Sequence, residues 1–325
     1  MSQGNDSAVS EFFIVGFPGL LPEYYSLASS VLFFVYLFTL VGNSLIIVLF
    51  ATDRALHKPM YFIYLNLVVS DILFSTTTLP KIIAKYWFQA GAISFTACFI
   101  QMYFVHYFST VNSLILFGMA LDRYLAICYP LRYPSIMKNS TILIISITPW
   151  VLSEVGPLMM VIRAYPLPYC SSNRIIQCYC DHISITTLAC TDRAPYSIPA
   201  FIVAMIYLLA PLVFIAFSYS SIIVAVLRIR STQGRNKTLS TCSAQLIIIA
   251  LYYVPRCFVY LASNVGLTIS TDVRILIIML YSLISPMINP LIYCFRTRDI
   301  RESLIKRFKK STSPQAGNIS IVCNS

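Results

Sequence analysis

The chain has 325 residues, of which 58% are hydrophobic and only 11% are charged. Because a soluble domain usually carries about 25% charged residues, this composition excludes an ordinary soluble protein. The net charge of +11 lies mostly beside apolar segments, where it suits the anionic inner leaflet of a membrane and is a poor argument for binding to nucleic acid.

Seven apolar segments follow one another along the chain. A helix of about 20 residues crosses about 30 Å of hydrocarbon, whereas the strands of a membrane barrel need only about 9–11 residues. The length of the segments therefore predicts an all-α membrane protein, built as a seven-transmembrane helix bundle. The predicted spans are Ser26–Phe50, Met60–Ile82, Ala97–Cys128, Thr141–Ile162, Tyr196–Leu227, Leu239–Ala262 and Ile275–Cys294.

The distribution of Lys and Arg sets the expected orientation, because basic loops stay on the cytoplasmic side of a membrane. With the N-terminus outside, 16 of the 23 basic residues fall in inner loops or in the C-terminal tail. We therefore expect a multi-pass protein of the plasma membrane with one domain over residues 1–325. Residues 1–25 form its extracellular N-terminus, 26–294 its helix bundle, and 295–325 a cytoplasmic helix and tail.

The outer segments carry a glycosylation sequon at Asn5 and five of the ten cysteines. Cys98 lies at the outer start of span three, and the other four crowd the loop between spans four and five. The exoplasmic space is oxidising, so we expect disulfides there, including one from Cys98 that ties this loop over the bundle. Because five is an odd number, one thiol is left over or pairs elsewhere. The loop cysteines are Cys170, Cys178, Cys180 and Cys190.

A series of motifs runs through almost the whole chain, and DRY at Asp122–Tyr124 ends span three on the inner side. With seven spans and this motif, the chain resembles a rhodopsin-like G-protein-coupled receptor, and more closely an odorant receptor. FPGL at Phe17–Leu20 and YCDH in the outer loop resemble the class I, fish-like branch. The other motifs that carry the resemblance are GNSLII, LHKPMYFIYLNLVVSDI, MALDRYLAICYPLRY, SYSSII, KTLSTCSAQL and PMINPLIYCFRTRDI.

The resemblance implies a receptor that binds a small odorant in an outer cavity and activates a stimulatory olfactory-type G protein to raise cyclic AMP. It also implies a short amphipathic helix after span seven, and contact with membrane lipids. Two alternatives stay open: a non-olfactory rhodopsin-like receptor for a small metabolite, and a proton-coupled transporter. Inverted-repeat transporters show paired broken segments in two halves, and the chain has no such symmetry. An enzyme is not expected, since G-x-S-x-G and H-E-x-x-H are both missing from the sequence.

Asp71 is an acid in the middle of span two, and an ionisable residue inside a membrane is a functional candidate by default. The resemblance assigns Asn43, Asp71 and Asn289 to a central polar network. A carboxylate there can hold a sodium ion or a proton, and otherwise neighbouring amides satisfy a protonated acid. No other cofactor and no other metal site is expected. The chain departs from the family at Asn112, where many members carry Glu, and at Gln245, where His is usual.

The acid and base at the inner end of span three, Asp122 and Arg123, are interpreted as a switch. Arg123 lies 25 residues after Cys98, which is roughly 38 Å of helix and enough to cross the bilayer. The resemblance implies that Arg123 pairs with Asp122 at rest and contacts the G protein when the bundle opens. Alternatively, Arg123 merely snorkels at a helix end. Prolines inside spans six and seven permit kinks, and the resemblance gives switch or coupling roles to Tyr124, Tyr253, Asn289, Pro290 and Tyr293.

The expected ligand site lies beneath the outer loop, between spans three, five, six and seven. His106 is 8 residues after Cys98, about 12 Å inward along the helix, and matches a ligand-contact position of class I odorant receptors. The alternative for His106 is a satisfied packing residue. Arg256 could supply charge about two turns below Asn264, which occupies the position of an Arg in some receptors for carboxylates. The ligand-binding candidates are His106, Tyr260, Asn264, Arg256, His182 and Asp181.

The resemblance also implies a disulfide pairing. The family's loop cysteine stands in the context YCD, which gives Cys98–Cys180. Cys170 and Cys190 flank that position and are expected to pair with each other, and Cys178 is then the spare thiol.

Overall fold

A computed structural model of the chain describes residues 9–170, 172–228, 231–264 and 269–312. Side chains are described throughout these ranges except at positions 234, 236, 237, 240, 241, 260, 263, 264, 296 and 308–312. Within this part, seven helical segments are long and apolar enough to cross a membrane. The predicted seven-helix bundle is therefore confirmed.

The helices of the described residues run in chain order, and two 3-10 turns, Pro22–Tyr24 and Arg54–Leu56, precede α1 and α2. The helices are α1 (Tyr25–Thr52), α2 (Pro59–Phe88), α3 (Phe95–Cys128), α4 (Tyr133–Ile136), α5 (Asn139–Leu152), α6 (Val155–Ala164), α7 (His182–Thr186), α8 (Ala194–Leu227), α9 (Thr232–Asn264), α10 (Thr271–Arg296) and α11 (Arg298–Thr312).

Span four is interrupted where a single helix was predicted over Thr141–Ile162. It consists of α5 and α6, with a turn at Ser153 and Glu154 between them. Pro157 has no backbone N–H, so the Ser153 carbonyl four residues earlier has no helical donor. The Ser153 N–H itself bonds to the Pro149 carbonyl at 3.2 Å, and the chain resumes its helix from Glu154. The interruption brings α6 beneath the outer loop.

A small sheet on the outer side was not predicted from the sequence. Its three strands are β1 (Glu11–Ile14), β2 (Ala92–Ser94) and β3 (Arg174–Ile175), in the order β2-β1-β3. The pairing is antiparallel between β1 and β2 and parallel between β1 and β3. Alternate side chains of β1, Phe12 and Ile14, are buried, so the N-terminal segment packs on the bundle and links it to the outer loop.

Close approach of α1 to α10 depends on Gly42. A Cβ atom at this position would stand 3.1 Å from Cγ of Pro290, which is tighter than an ordinary van der Waals contact. The glycine therefore lets the two helices meet at the proline of span seven, where the central polar residues lie.

Candidate functional site

A cavity of about 110 Å³ lies in the outer half of the bundle, between α3, α6, α8, α9 and α10. The α3 residues that line it recur at intervals of three or four along the sequence, because residues at this spacing are neighbours on one face of a helix. Tyr179 and Asp181 of the outer loop close it from above. The lining residues are Val105, His106, Ser109, Thr110, Ser113, Gly156, Pro157, Met160, Tyr179, Asp181, Val203, Ala204, Tyr207, Leu208, Tyr252, Arg256, Tyr281 and Ser282.

His106 joins the cavity wall to the outer loop. Its Nε2 atom lies 3.5 Å from Oδ1 of Asp181 and 3.5 Å from the backbone nitrogen of His182. A protonated Nε2 donates to the Asp181 carboxylate, and an unprotonated one accepts from the His182 N–H. The same ring can therefore hold the loop in either protonation state.

The two loop residues beside His106 have shifted pKa values. Burial raises the pKa of the Asp181 carboxyl, but the hydrogen bond and charge of His106 outweigh it and leave the pKa below its ordinary value. Burial lowers the pKa of His182 to about 4, with repulsion from His106 adding to the effect. Asp181 is therefore ionised and His182 neutral at physiological pH. Asp181 also caps α7, by accepting from the Ser184 N–H at 3.4 Å.

Arg256 lies on α9 at the inner side of the cavity, and only 9% of the residue is exposed. Its Nη1 donates to the Tyr252 carbonyl at 3.0 Å. The guanidinium carbon stands 3.8 Å from the ring centre of Tyr252 and 4.3 Å from that of Tyr281. Among the described residues no carboxylate forms an ion pair with it.

A second cavity of about 360 Å³ adjoins the first and shares His106, Met160, Asp181 and Ala204 with it. Its remaining walls come from α7 and from the outer part of α8, and most of them are apolar or weakly polar. These further lining residues are His182, Ile183, Thr186, Arg193, Ser197, Ile198, Ala200 and Phe201. The two cavities together offer a polar inner end and a more apolar outer end.

The central polar network is built around Asp71, which is buried in α2. Asn112 of α3 donates to its Oδ1 at 3.2 Å, and Asn289 of α10 donates to its Oδ2 at 2.8 Å. Asn112, at the position where the resemblance gives Glu in many members, thus supplies a donor to Asp71. Among the described residues, the buried oxygens Oδ1 of Asn112, Oδ1 of Asn289 and Oγ of Ser75 have no hydrogen-bond partner. Such oxygens suit a hard cation.

Asn43 has a different role in this region. Its Nδ2 donates to the carbonyl of Pro286 at 2.9 Å and to that of Thr39 at 2.8 Å. Pro290 lacks the N–H that would bond to the Pro286 carbonyl in a regular helix. Asn43 therefore satisfies the carbonyl that the proline leaves open, and it fixes α1 to the irregular turn of α10.

The inner end of α3 holds a compact ionic contact. Arg123 Nη2 lies 3.2 Å from Oδ2 of Asp122, and Tyr133 donates to Oδ1 of Asp122 at 2.7 Å. Arg123 also points to the sulfur of Met60 on α2. The side chain of Asp122 is fully buried and that of Arg123 is 15% exposed. In this arrangement the guanidinium is turned towards α2 and α3.

Two tyrosines, Tyr253 on α9 and Tyr293 on α10, contact residues of neighbouring helices. The Tyr253 hydroxyl is 2.8 Å from Oγ of Ser113, a residue of the cavity wall. The Tyr293 ring stacks on Tyr64 with ring centres 3.6 Å apart. Tyr253 thus couples the cavity to α9, two residues before the helix proline Pro255.

Both disulfides of the outer loop are present. Cys98 is bonded to Cys180, with Cα atoms 5.5 Å apart, and Cys170 is bonded to Cys190, with Cα atoms 5.8 Å apart. Cys178 is a buried free thiol. Gln101 reinforces the first bridge, since its Oε1 accepts from the Cys180 N–H at 2.9 Å.

Comparison with known proteins decides the family. The family model described as "Olfactory receptor" matches residues 32–311. The chain belongs to the olfactory receptor family. It is 37% identical to human olfactory receptor 2AT4, over 91% of this chain and 92% of that protein, and 38% identical to human olfactory receptor 52B2, over the same shares. Mouse olfactory receptor 1E16 is 35% identical over 95% of this chain and 98% of its own length.

A likeness to a solved structure agrees with this assignment at the level of the fold. The crystal structure of squid rhodopsin matches with a TM-score of 0.72 and 18% identity, over 90% of this chain and 87% of that chain. As a member of the olfactory receptor family, the protein is a multi-pass receptor of the plasma membrane and not an enzyme, and its fold is that of rhodopsin. Its helix after span seven, α11, is also present.

Some predicted residues of the receptor cannot be placed in the site. Asn5 lies outside the described residues. Tyr260 and Asn264 lie in α9, but their side chains are not among those described. Tyr124 contacts a different residue from the Asp122–Arg123 pair: its hydroxyl lies 3.5 Å from the hydroxyl of Tyr129.

Several receptor residues at the cavity were missed by reasoning from the sequence. Tyr252 precedes Arg256 by one helical turn, and Ser109 and Ser113 follow His106 at intervals of three and four. That spacing could have placed all of them on the cavity face. Tyr281 carries no comparable signal, because its contact with Arg256 depends on how α9 and α10 pack.

Proposed function

We propose that the receptor binds a small odorant in the outer cavity and activates a stimulatory G protein of the olfactory type, which raises cyclic AMP. The observation that supports this most directly is the contact between Ser113 and Tyr253. Ser113 lines the cavity, and Tyr253 lies beside the proline of α9. A ligand that displaces this hydrogen bond acts on a helix that can bend at Pro255.

In this proposal the G protein binds where Arg123 and Asp122 now meet. Opening of the inner end frees Arg123 from Asp122 and Met60, and its five donors can then bond to carbonyls of an inserted helix. The hydrogen bond from the Tyr133 hydroxyl to Asp122 would also break in this opening. Asn289, Pro290 and Tyr293 form the part of α10 that rearranges.

A sodium ion in the central network would be held by side-chain oxygens of Asp71, Asn112, Asn289 and Ser75. Asp71 would supply the charge, and the three oxygens that lack a partner within the described part of the chain would complete the ligand set. The bound ion would neutralise the carboxylate and hold α2, α3 and α10 together. The basic side chains of α11 would meet the anionic lipids of the inner leaflet.

The test is a functional assay in cells. The receptor is expressed with an olfactory-type stimulatory G protein, and cyclic AMP is read against a panel of small odorants with surface expression measured in parallel. A dose-dependent rise that requires this G protein supports the proposal. A response that needs a different G protein contradicts the coupling partner, and substrate flux without any rise in cyclic AMP would favour the transporter.

A further inference from the structure

We propose that two copies of the receptor associate in the membrane through the outer halves of α3 and span four, where Tyr103 of each copy donates a hydrogen bond to Glu154 of the other. The contact is separate from ligand binding and coupling, and it gives a role to an acid that neither of them uses. The partner is therefore a second copy of this chain.

The first observation is an exposed acid within a membrane span. Glu154 lies at the break of span four, between α5 and α6, and the residue is exposed. It precedes α6, whose 10 residues end at Ala164, so it lies about 15 Å from the outer end of the helix and deep in a hydrocarbon layer of about 30 Å. A glutamate side chain is shorter than the Lys and Arg side chains that reach the membrane surface by snorkelling. Its carboxyl group therefore faces lipid unless another protein surface covers it.

Glu154 differs from Asp71 and Asp122, two acids of other spans. Asp71 and Asp122 are both buried and hydrogen-bonded. Within the described residues, Glu154 forms no ion pair and its carboxyl accepts no hydrogen bond. An ionisable residue inside a membrane is costly and marks a functional site, and hydrogen bonds between helices help to associate them in lipid. This carboxyl therefore indicates contact with another transmembrane surface.

A hydrogen-bond donor lies beside this acid. Tyr103 and Tyr107 of α3 are close enough to Glu154 to interact with it electrostatically. Tyr107 is already engaged, because its hydroxyl donates to the Trp150 carbonyl at 2.9 Å. The Tyr103 hydroxyl has no hydrogen-bond partner among the described residues, while its ring stacks on Tyr107 with ring centres 5.7 Å apart. The same surface therefore offers one free donor and one free acceptor.

Neighbouring helices fix the position of the acid. Tyr107 of α3 bonds to the last turn of α5, and Tyr207 of α8 donates to the Leu152 carbonyl at 2.8 Å. These two bonds hold the chain beside the break that Pro157 causes. Glu154 is thus presented on the membrane face of the bundle, and it lines neither of the two ligand cavities.

The free donor and the free acceptor make this surface complementary to itself. Tyr103 lies 8 residues after Phe95, the first residue of α3, which is about 12 Å inward and close to the depth of Glu154. A two-fold axis along the membrane normal brings the same surface of two copies together at the same depth. Each Tyr103 then meets the Glu154 of the other copy, and the interface contains two equivalent hydrogen bonds.

Apolar side chains surround this pair and supply the packing of the interface. Within each span they recur at intervals of three or four residues, which places them on one helix face. These exposed residues are Ile100 and Phe104 of α3 and Val151, Val155, Leu158 and Ile162 of span four. Because lipid tails are as apolar as these side chains, packing alone would not select a partner, whereas the polar pair does.

The experiment measures association between full-length receptors that carry donor and acceptor fluorophores. Resonance energy transfer is recorded in cells over a range of surface densities, which gives an apparent dissociation constant. The variants are Glu154→Leu, Glu154→Gln and Tyr103→Phe. Glu23→Leu and Tyr24→Phe are the matched controls, because both residues are exposed in the 3-10 turn before α1, away from the proposed interface.

We expect Glu154→Leu and Tyr103→Phe each to weaken self-association by about ten-fold, because each removes both equivalent hydrogen bonds, at about three-fold per bond. Glu154→Gln keeps an acceptor oxygen and should retain most of the association, and the two controls should match the wild type. A Glu154→Leu copy and a Tyr103→Phe copy together keep one bond. This mixed pair should therefore associate about three-fold more tightly than either variant does with itself, as a reciprocal contact requires.

A cross-linking measurement decides the matter where a variant fails to reach the surface. With an added oxidant, Val155→Cys should form disulfide-linked dimers above the background of the wild type. Val41→Cys should not, because Val41 is a similarly exposed valine on α1, outside the proposed interface. Equal energy transfer in the wild type and both single variants, no recovery in the mixed pair, or no Val155→Cys dimers overturns the inference. Absence of association between wild-type copies also overturns it and assigns this face to a helix of a different protein.

Discussion

The central network and the outer cavity both enclose an ionisable side chain, but they compensate its charge differently. Each oxygen of Asp71 accepts a hydrogen bond from an amide on another helix. Arg256 has one carbonyl and two aromatic rings as partners within the described residues. The carboxylate of Asp71 thus has partners within the chain, and its hydrogen bonds stabilise one packing of the helices. The guanidinium of Arg256 keeps free bonding capacity that faces a cavity, as a binding site requires.

This contrast predicts how substitutions should behave. Changes in the central and inner regions should affect all agonists by the same factor, because they alter the equilibrium between packings. Changes in the cavity should depend on which agonist is used. The following predictions test that division, beginning with the largest effect.

Arg123→Ala should abolish cyclic AMP signalling for every agonist while surface expression and ligand binding persist. The side chain lies at the inner end of α3, far from the cavity, and its donors are the proposed contact with the G protein. Arg132→Ala is a suitable control, because Arg132 is an exposed basic residue in the neighbouring loop. Signalling of normal amplitude in Arg123→Ala would show that the proposed inner contact does not operate.

Asp71→Ala should lower the stability of the receptor and shift all agonists together. The substitution leaves the amides of Asn112 and Asn289 without their acceptor, and an unsatisfied buried group costs about 1–3 kcal/mol. Thermal unfolding of the purified receptor and dose–response curves for several agonists measure the two effects. Asp71→Asn, which keeps the shape and one acceptor, should be intermediate. A loss confined to one agonist would break the contrast between the two sites.

His106→Ala should reduce the potency of agonists whose polar end reaches it by about ten-fold, at about 1.4 kcal/mol per decade. The ring lines both cavities and holds Asp181 at 3.5 Å. Val105→Ala, at the adjacent position of the cavity wall, controls for lost packing. Unchanged potency at equal surface expression would make His106 a packing residue. A uniform loss for every agonist would instead place it with the switch.

The residues differ in how far the sequence could predict them. The seven spans could be predicted, because uncharged stretches of membrane length leave few alternatives. The contact between Arg256 and Tyr281 could not, since Tyr281 belongs to a different helix and reaches Arg256 only after packing. Strand β1 was missed for the same reason. Its residues pair with Ala92–Ser94 and Arg174–Ile175, which are far away in the chain.

Reasoning from neighbouring residues in the sequence also misses which hydrogen-bond partner a buried polar side chain finds. Asn43 was assigned to the network of Asp71, but its amide bonds to the Pro286 carbonyl. The effect of Pro290 on that carbonyl is readable from the sequence, whereas the donor that compensates it comes from α1. The break in span four at Pro157 follows the same rule and could have been predicted from the proline alone.

The smallest predicted effect is a pH dependence of the outer loop. Burial lowers the pKa of His182 to about 4, against an ordinary value of about 6.5. The folded loop thus favours the neutral ring, and the unfolded chain binds a proton more readily. The stability that His182 contributes is complete above about pH 6.5 and is lost as the pH falls towards 4.

Two ionisable groups, Asp181 and His106, face the His182 ring and bear on its pH dependence. Asp181 has a lowered pKa, so it stays ionised over most of that window, while His106 stands on the other side of the loop contact. Lowering the pH from 7 to 5 should reduce the unfolding temperature of the detergent-solubilised receptor by a few degrees, at roughly 2–4 °C per kcal/mol. His182→Gln should lessen this fall, and His57→Gln, on the inner side, should not. Equal falls in the wild type and His182→Gln would show that the buried ring does not sense pH.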